Sequence, residues 1–101
     1  MTVLVTAKFH GDVATFQRAL VDRADEFAEI AIRAKAIGAI HHRFGIGDGI
    51  VVVVDEWEAA DQFEKFFADP ALQEFIASIG ASVDVPPELV FAEAVDSADQ
   101  F

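Results

Sequence analysis

His41, His42 and Arg43 lie together in one short segment, and Asp55 and Trp57 lie in the next, on the far side of a Gly47-Asp48-Gly49 turn. A histidine beside a carboxylate is a minimal general-base unit. The carboxylate orients the imidazole and raises its basicity, and the imidazole can then take a phenolic or carbon-bound proton. A nearby arginine steadies the resulting anion, and an indole offers a flat wall on which a planar molecule can stack. His41 is accordingly read as the base, Asp55 as its orienter and Arg43 as the anion stabiliser, with Trp57, Thr6 and Val53 as substrate contacts. His42 is read as a core or sheet-edge histidine, and His10, beside Gly11, as an exposed one. Three histidines without matching carboxylate spacing give no metal signature, and the absence of cysteine excludes thiolate ligands, disulfides and cysteine nucleophiles. No cofactor is expected.

Whether His41 meets Asp55 depends on the hairpin that carries both. Ile50-Val51-Val52-Val53-Val54 is a β-branched run without alternation, the pattern of a strand buried on both faces. In the preceding strand, Ile40, Phe44 and Ile46 share a face with His42, while His41, Arg43 and Gly45 take the other. A three-residue Gly47-Asp48-Gly49 loop pairs Ile46 with Ile50 and sets His41 opposite Asp55. A two-residue turn slips the register by one and exchanges His41 for His42, because side chains alternate with period two. The three-residue loop puts fewer polar groups under the helices and is the expectation. It sends Ile50, Val52 and Val54 to the helices and Val51, Val53, Asp55 and Trp57 away from them.

The elements that position these groups follow from periodicity. Val3 to Phe9 alternates as a strand with Val3, Val5, Ala7 and Phe9 on its apolar side. Asp12 is placed to cap a long amphipathic helix from Val13 to about Ile37, ended by Gly38. Arg23 falls on that helix's apolar face, where its stem either snorkels to an edge or reaches the cavity as an anion partner. The second strand spans Ala39 to Ile46. A further helix begins near Ala59 and is restarted or kinked at Asp69-Pro70, an N-cap followed by proline at the first helical position. It runs to Gly80, and a last strand covers Leu89 to Val95. The order is β-α-β-β-α-β: a ferredoxin-like α+β domain over residues 1–95, with a four-stranded antiparallel sheet, two helices on one face and a frayed tail at 96–101.

With 101 residues there is room for one domain, and a hydrophobic fraction of 53% excludes disorder. No apolar run reaches the length of ~18 residues needed to span a bilayer. The first residues lack the basic start and small-residue cleavage site of a signal peptide, so the expected location is the cytoplasm. A formal net charge of −11 repels phosphate backbones and anionic membranes, so neither nucleic acid nor membrane is an expected partner. Helices on one face leave the other sheet face bare. Burying each valine-sized side chain there is worth about 1.5–3 kcal/mol. A homodimer through the sheet face is expected, closing two sheets into a barrel with a cavity between the copies that takes a small apolar or aromatic metabolite.

Val52-Val53-Val54-Asp55-Glu56-Trp57-Glu58, followed by Ala60, Phe63, Phe67, Asp69-Pro70-Ala71-Leu72 and Phe75, resembles the antibiotic-biosynthesis-monooxygenase domain of the dimeric α/β-barrel superfamily. The likeness covers roughly residues 38–80. It implies a dimeric barrel and a cofactor-independent oxygenase, or a related small enzyme, acting on a flat phenolic or quinone-like metabolite. The alternative is a non-catalytic dimeric binding or sensing module. The heme-degrading branch of the superfamily would want a tryptophan and an iron-ligating histidine where this chain has Phe66 and Ile76, which disfavours heme. Trp57 matches the strand-end tryptophan of the oxygenases, whereas Val53 stands where they carry an asparagine.

Overall fold

The computed structural model describes residues 1–101. Four strands, β1 (Val3–His10), β2 (Ala39–Gly47), β3 (Ile50–Trp57) and β4 (Glu88–Glu93), form one antiparallel sheet in the order β2-β3-β1-β4. Helices α1 (Val13–Asp22), α2 (Ala24–Ile37), α3 (Ala60–Phe67) and α4 (Pro70–Ser78) join β1 to β2 and lead on from β3. This is the expected ferredoxin-like α+β fold, with each of its two helical legs broken once.

The second break falls at Asp69-Pro70 as the sequence predicts: the Asp69 carboxylate accepts from the Ala71 amide at 3.0 Å, and Pro70 opens α4. The first break corrects the expected single helix. A straight helix over residues 13–37 would be ~37 Å long, whereas an eight-residue strand spans only ~27 Å. At Arg23 the backbone turns out of helical geometry (φ −121°, ψ 30°), so α1 and α2 can each follow the sheet. The Arg23 guanidinium secures the corner. It donates to both carboxylate oxygens of Glu26 (2.9 and 2.8 Å) and to Ser78 Oγ (2.6 Å), and lies over the Phe75 ring. That pairing raises the Arg23 pKa and lowers that of Glu26. Arg23 is thus a brace between α2 and α4, and it does not line the cavity.

The hairpin closes on two residues. Gly47 pairs with Ile50, leaving Asp48-Gly49 as the turn, with Gly49 at φ 69°. The expected three-residue loop is therefore corrected, and with it every facing pair: His42 lies opposite Asp55, Phe44 opposite Val53, and His41 opposite Glu56. A bulge between Ala39 and His41 then restores pairing of Ala39 with Trp57.

The faces of β3 are the reverse of those expected: Val51, Val53, Asp55 and Trp57 lie on the helix side, and Val54 on the other. Val5, Ala7, Asp55 and Trp57 are buried beneath the helices, with Val5, Trp57 and Phe63 forming one core cluster and Phe16, Ala19 and Ile79 a second. The uncovered face carries the alternate residues in rows across the strands, His41–Glu56–Leu4–Ala92 and Arg43–Val54–Thr6–Val90. Val54 is 50% exposed, so within one chain β3 is not buried on both faces. No helix is long and apolar enough to cross a membrane.

Candidate functional site: an aromatic cavity with a His–Asp–Trp wall

Strand alternation puts Asp55 and Trp57 on the same face of β3, and cross-strand pairing brings His42 beside them. Asp55 Oδ1 lies 2.6 Å from His42 Nδ1, and Asp55 Oδ2 accepts from the Trp57 indole N–H at 3.1 Å. The Asp55 side chain is 8% exposed and that of His42 46%. A carboxylate has only acceptors, so His42 Nδ1 carries the proton of this bond, and neutral His42 keeps its lone pair on Nε2. No buried side-chain polar atom is left without a partner, so Asp55 is held by its two donors in one orientation.

These residues form part of the wall of a cavity of about 290 Å³ between the covered sheet face and the helices. Eight of the ten phenylalanines line it. Most of these rings meet edge-on around the site: Phe44 lies 4.6 Å from the His42 ring and 5.0 Å from Phe16, and Phe63 lies 5.7 Å from Trp57, while Phe66 is tilted against Trp57 at 5.4 Å. Edge-to-face rings keep a pocket apolar while leaving flat surfaces for another ring to stack on.

Two backbone clasps bound the cavity. At one end Gly38 ends α2 at φ 143°, and its carbonyl accepts from Glu58. A Cβ at Gly38 would strike the Gln62 amide at 2.2 Å, and Gln62 in turn caps α3 through the Ala59 N–H. At the other end the Asp12 N–H donates to Gly80 and the Ser82 N–H to His10. The Asp12 carboxylate caps α1 through the Thr15 N–H, which holds its pKa below the ordinary value.

Of the residues singled out in the sequence, the structure gathers Asp55, Trp57 and Val53 on the cavity wall. It separates them from Arg43 and Thr6, which the register sends to the open face. His41 reaches only the rim, with its side chain on the Glu56 side of the sheet, so His42 replaces it beside Asp55. The cavity itself lies within one chain, under its own helices. The signal for His42 was present: Asp-Gly is a favoured dipeptide for a two-residue hairpin turn. Lys35, at the rim, was not singled out, because nothing in its local sequence marks it.

The chain has the fold of solved antibiotic biosynthesis monooxygenases. A monooxygenase from the gene ActVA-Orf6 of Streptomyces coelicolor, solved with the ligand nanaomycin D, superposes with a TM-score of 0.68 at 24% identity over 98% of this chain and 92% of that one. SnoaB, a cofactor-independent oxygenase from Streptomyces nogalater, gives 0.60 at 15% identity over 98% of each chain. A third structure, of an antibiotic biosynthesis monooxygenase, gives 0.63 at 13% identity over 93% of this chain and 99% of that one. No protein-family model and no curated protein matches the sequence.

Proposed function

We propose that this chain is a cofactor-independent monooxygenase, or a closely related small enzyme, acting on a flat phenolic or quinone-like metabolite held in its aromatic cavity. The observation that carries the reading is the His42–Asp55–Trp57 hydrogen-bonded set on the wall of that cavity. His42 Nε2 accepts the phenolic proton, Asp55 steadies the imidazolium that forms, and Trp57 and the phenylalanines stack on the ring. The phenolate is electron-rich enough to react with oxygen directly. One oxygen atom ends as a ring carbonyl, and the other leaves as water with the phenolic and ring hydrogens. The substrate supplies all four electrons, so no external reductant enters the balance. The likeness to SnoaB and the ActVA-Orf6 protein is consistent with this chemistry.

Oxygen uptake with a panel of naphthols tests the reading, with one oxygen consumed per quinone formed. His42→Ala is expected to lower the rate by about 10²–10⁴-fold, the usual contribution of a positioned base, while His41→Ala leaves it unchanged. Equal rates in all three proteins would remove His42 from the chemistry. A second reading, a non-catalytic binding or sensing module, is favoured by Val53. It lines the cavity opposite Phe44, where the resembling oxygenases carry an amide, and it offers nothing polar to an oxygen intermediate. Saturable binding of naphthols without oxygen uptake would select it.

The proposal includes a homodimer through the open sheet face. Leu4, Val54 and Val90, at 44, 50 and 60% exposure, form an apolar patch on adjacent strands that no element of the same chain covers.

A further inference from the structure

The cavity wall is mostly apolar and its two carboxylates are already engaged. Asp55 accepts from His42 and Trp57, and Asp12, at the far end, caps α1 through Thr15. Among the residues lining the cavity there is a single lysine or arginine, Lys35. It stands in the last turn of α2, just before Gly38 and the Ala39–Trp57 pair, and therefore at the end of the cavity that holds Asp55 and Trp57. Lys8, Arg23 and Arg33 each pair with a carboxylate, but Lys35 takes part in no ion pair, in a chain with 18 acidic residues. Arg43, the cation expected beside the substrate, lies on the open sheet face. The one lysine or arginine charge on this largely apolar cavity is thus on Lys35, and it is free of any ion pair.

We propose that Lys35 sets the ligand class of this cavity, selecting flat aromatic molecules that carry an anionic substituent, such as a ring carboxylate, over neutral molecules of the same shape. The aromatic body enters among the phenylalanines and the anionic group stays at the rim, where the ammonium meets it half in water. Such a pair is worth up to about 1 kcal/mol, roughly fivefold in affinity. This inference rests on the cavity's taking a flat aromatic ligand, as proposed above, and not on its oxidising one. A lysine in the last turn also complements the helix dipole, a role that affects stability but does not discriminate between ligands.

Calorimetric titration of the purified chain with 2-naphthoic acid and with 2-naphthylmethanol, at low salt and neutral pH, separates the two roles. The acid is expected to bind about fivefold more tightly than the alcohol. Lys35→Gln should abolish the preference by weakening the acid alone, Lys35→Arg should keep it, and Lys65→Gln, on α3 and off the cavity, should not change it. An undiminished preference in Lys35→Gln would overturn the proposal, as would equal affinities in the unaltered protein or failure of both compounds to bind. Absence of oxygen uptake with naphthols alongside an intact acid preference would overturn the enzymatic reading and leave this one standing.

Discussion

The two faces of one sheet are built from alternate residues of the same strands, yet they have opposite physical characters. On the covered face Asp55, Trp57, Val5 and Ala7 are buried, and every buried side-chain polar atom has a partner. On the open face Leu4, Val54 and Val90 are close to half exposed or more, and the polar groups among them, His41, Arg43 and Glu56, are those of an ordinary surface. What separates the faces is a single residue of register. A one-position slip in the hairpin would move His42 out of the cavity and bring His41 in. The proposed general-base role therefore belongs to the turn as much as to the histidine.

Substitutions on the two faces should differ in kind. The largest effect is expected at Trp57, where truncation to alanine empties the centre of a core cluster and frees one oxygen of Asp55. By analogy with other buried tryptophans it should cost about 3–5 kcal/mol, seen as a lower urea midpoint. Asp55→Ala comes next. It leaves the buried indole N–H without its acceptor and His42 without its orienter, for a loss of about 1–3 kcal/mol of stability. If urea denaturation finds Asp55→Ala as stable as the unaltered chain, the hydrogen-bonded set is not a structural unit. The smallest effect on the fold is expected on the open face. Val54→Asp should change the circular dichroism spectrum little, but it should convert a dimer into a monomer in sedimentation at micromolar concentration. A monomeric mass for the unaltered protein would remove the dimer altogether, and a dimeric Val54→Asp protein would place the interface elsewhere.

Much of this architecture was legible in the sequence because it rests on local rules. Asp12 and Asp69-Pro70 start helices where their side chains can cap them, Gly38 ends one, and period-two alternation marks β1. Those features are decided within a few residues and survive any tertiary arrangement. The break at Arg23 was not legible, because its cause lies far away in sequence, in Ser78 and Phe75 on α4 and in the length of the sheet beneath. The face of β3 was not legible for a related reason. A run of four valines offers the same chemistry to both sides, so its pattern carries no information about which side the helices take.

The sequence by itself determined the α+β order, the helix caps, the acidic surface and the presence of a histidine, an aspartate and a tryptophan on one hairpin. Only the tertiary structure decided that His42 and not His41 meets Asp55, that the cavity lies inside one chain, and that Lys35 is the charge at its rim. The physical reason is that alternation fixes which residues share a face, whereas turn length and helix packing decide which face is covered. Those depend on contacts between elements, and no window of the sequence contains both partners.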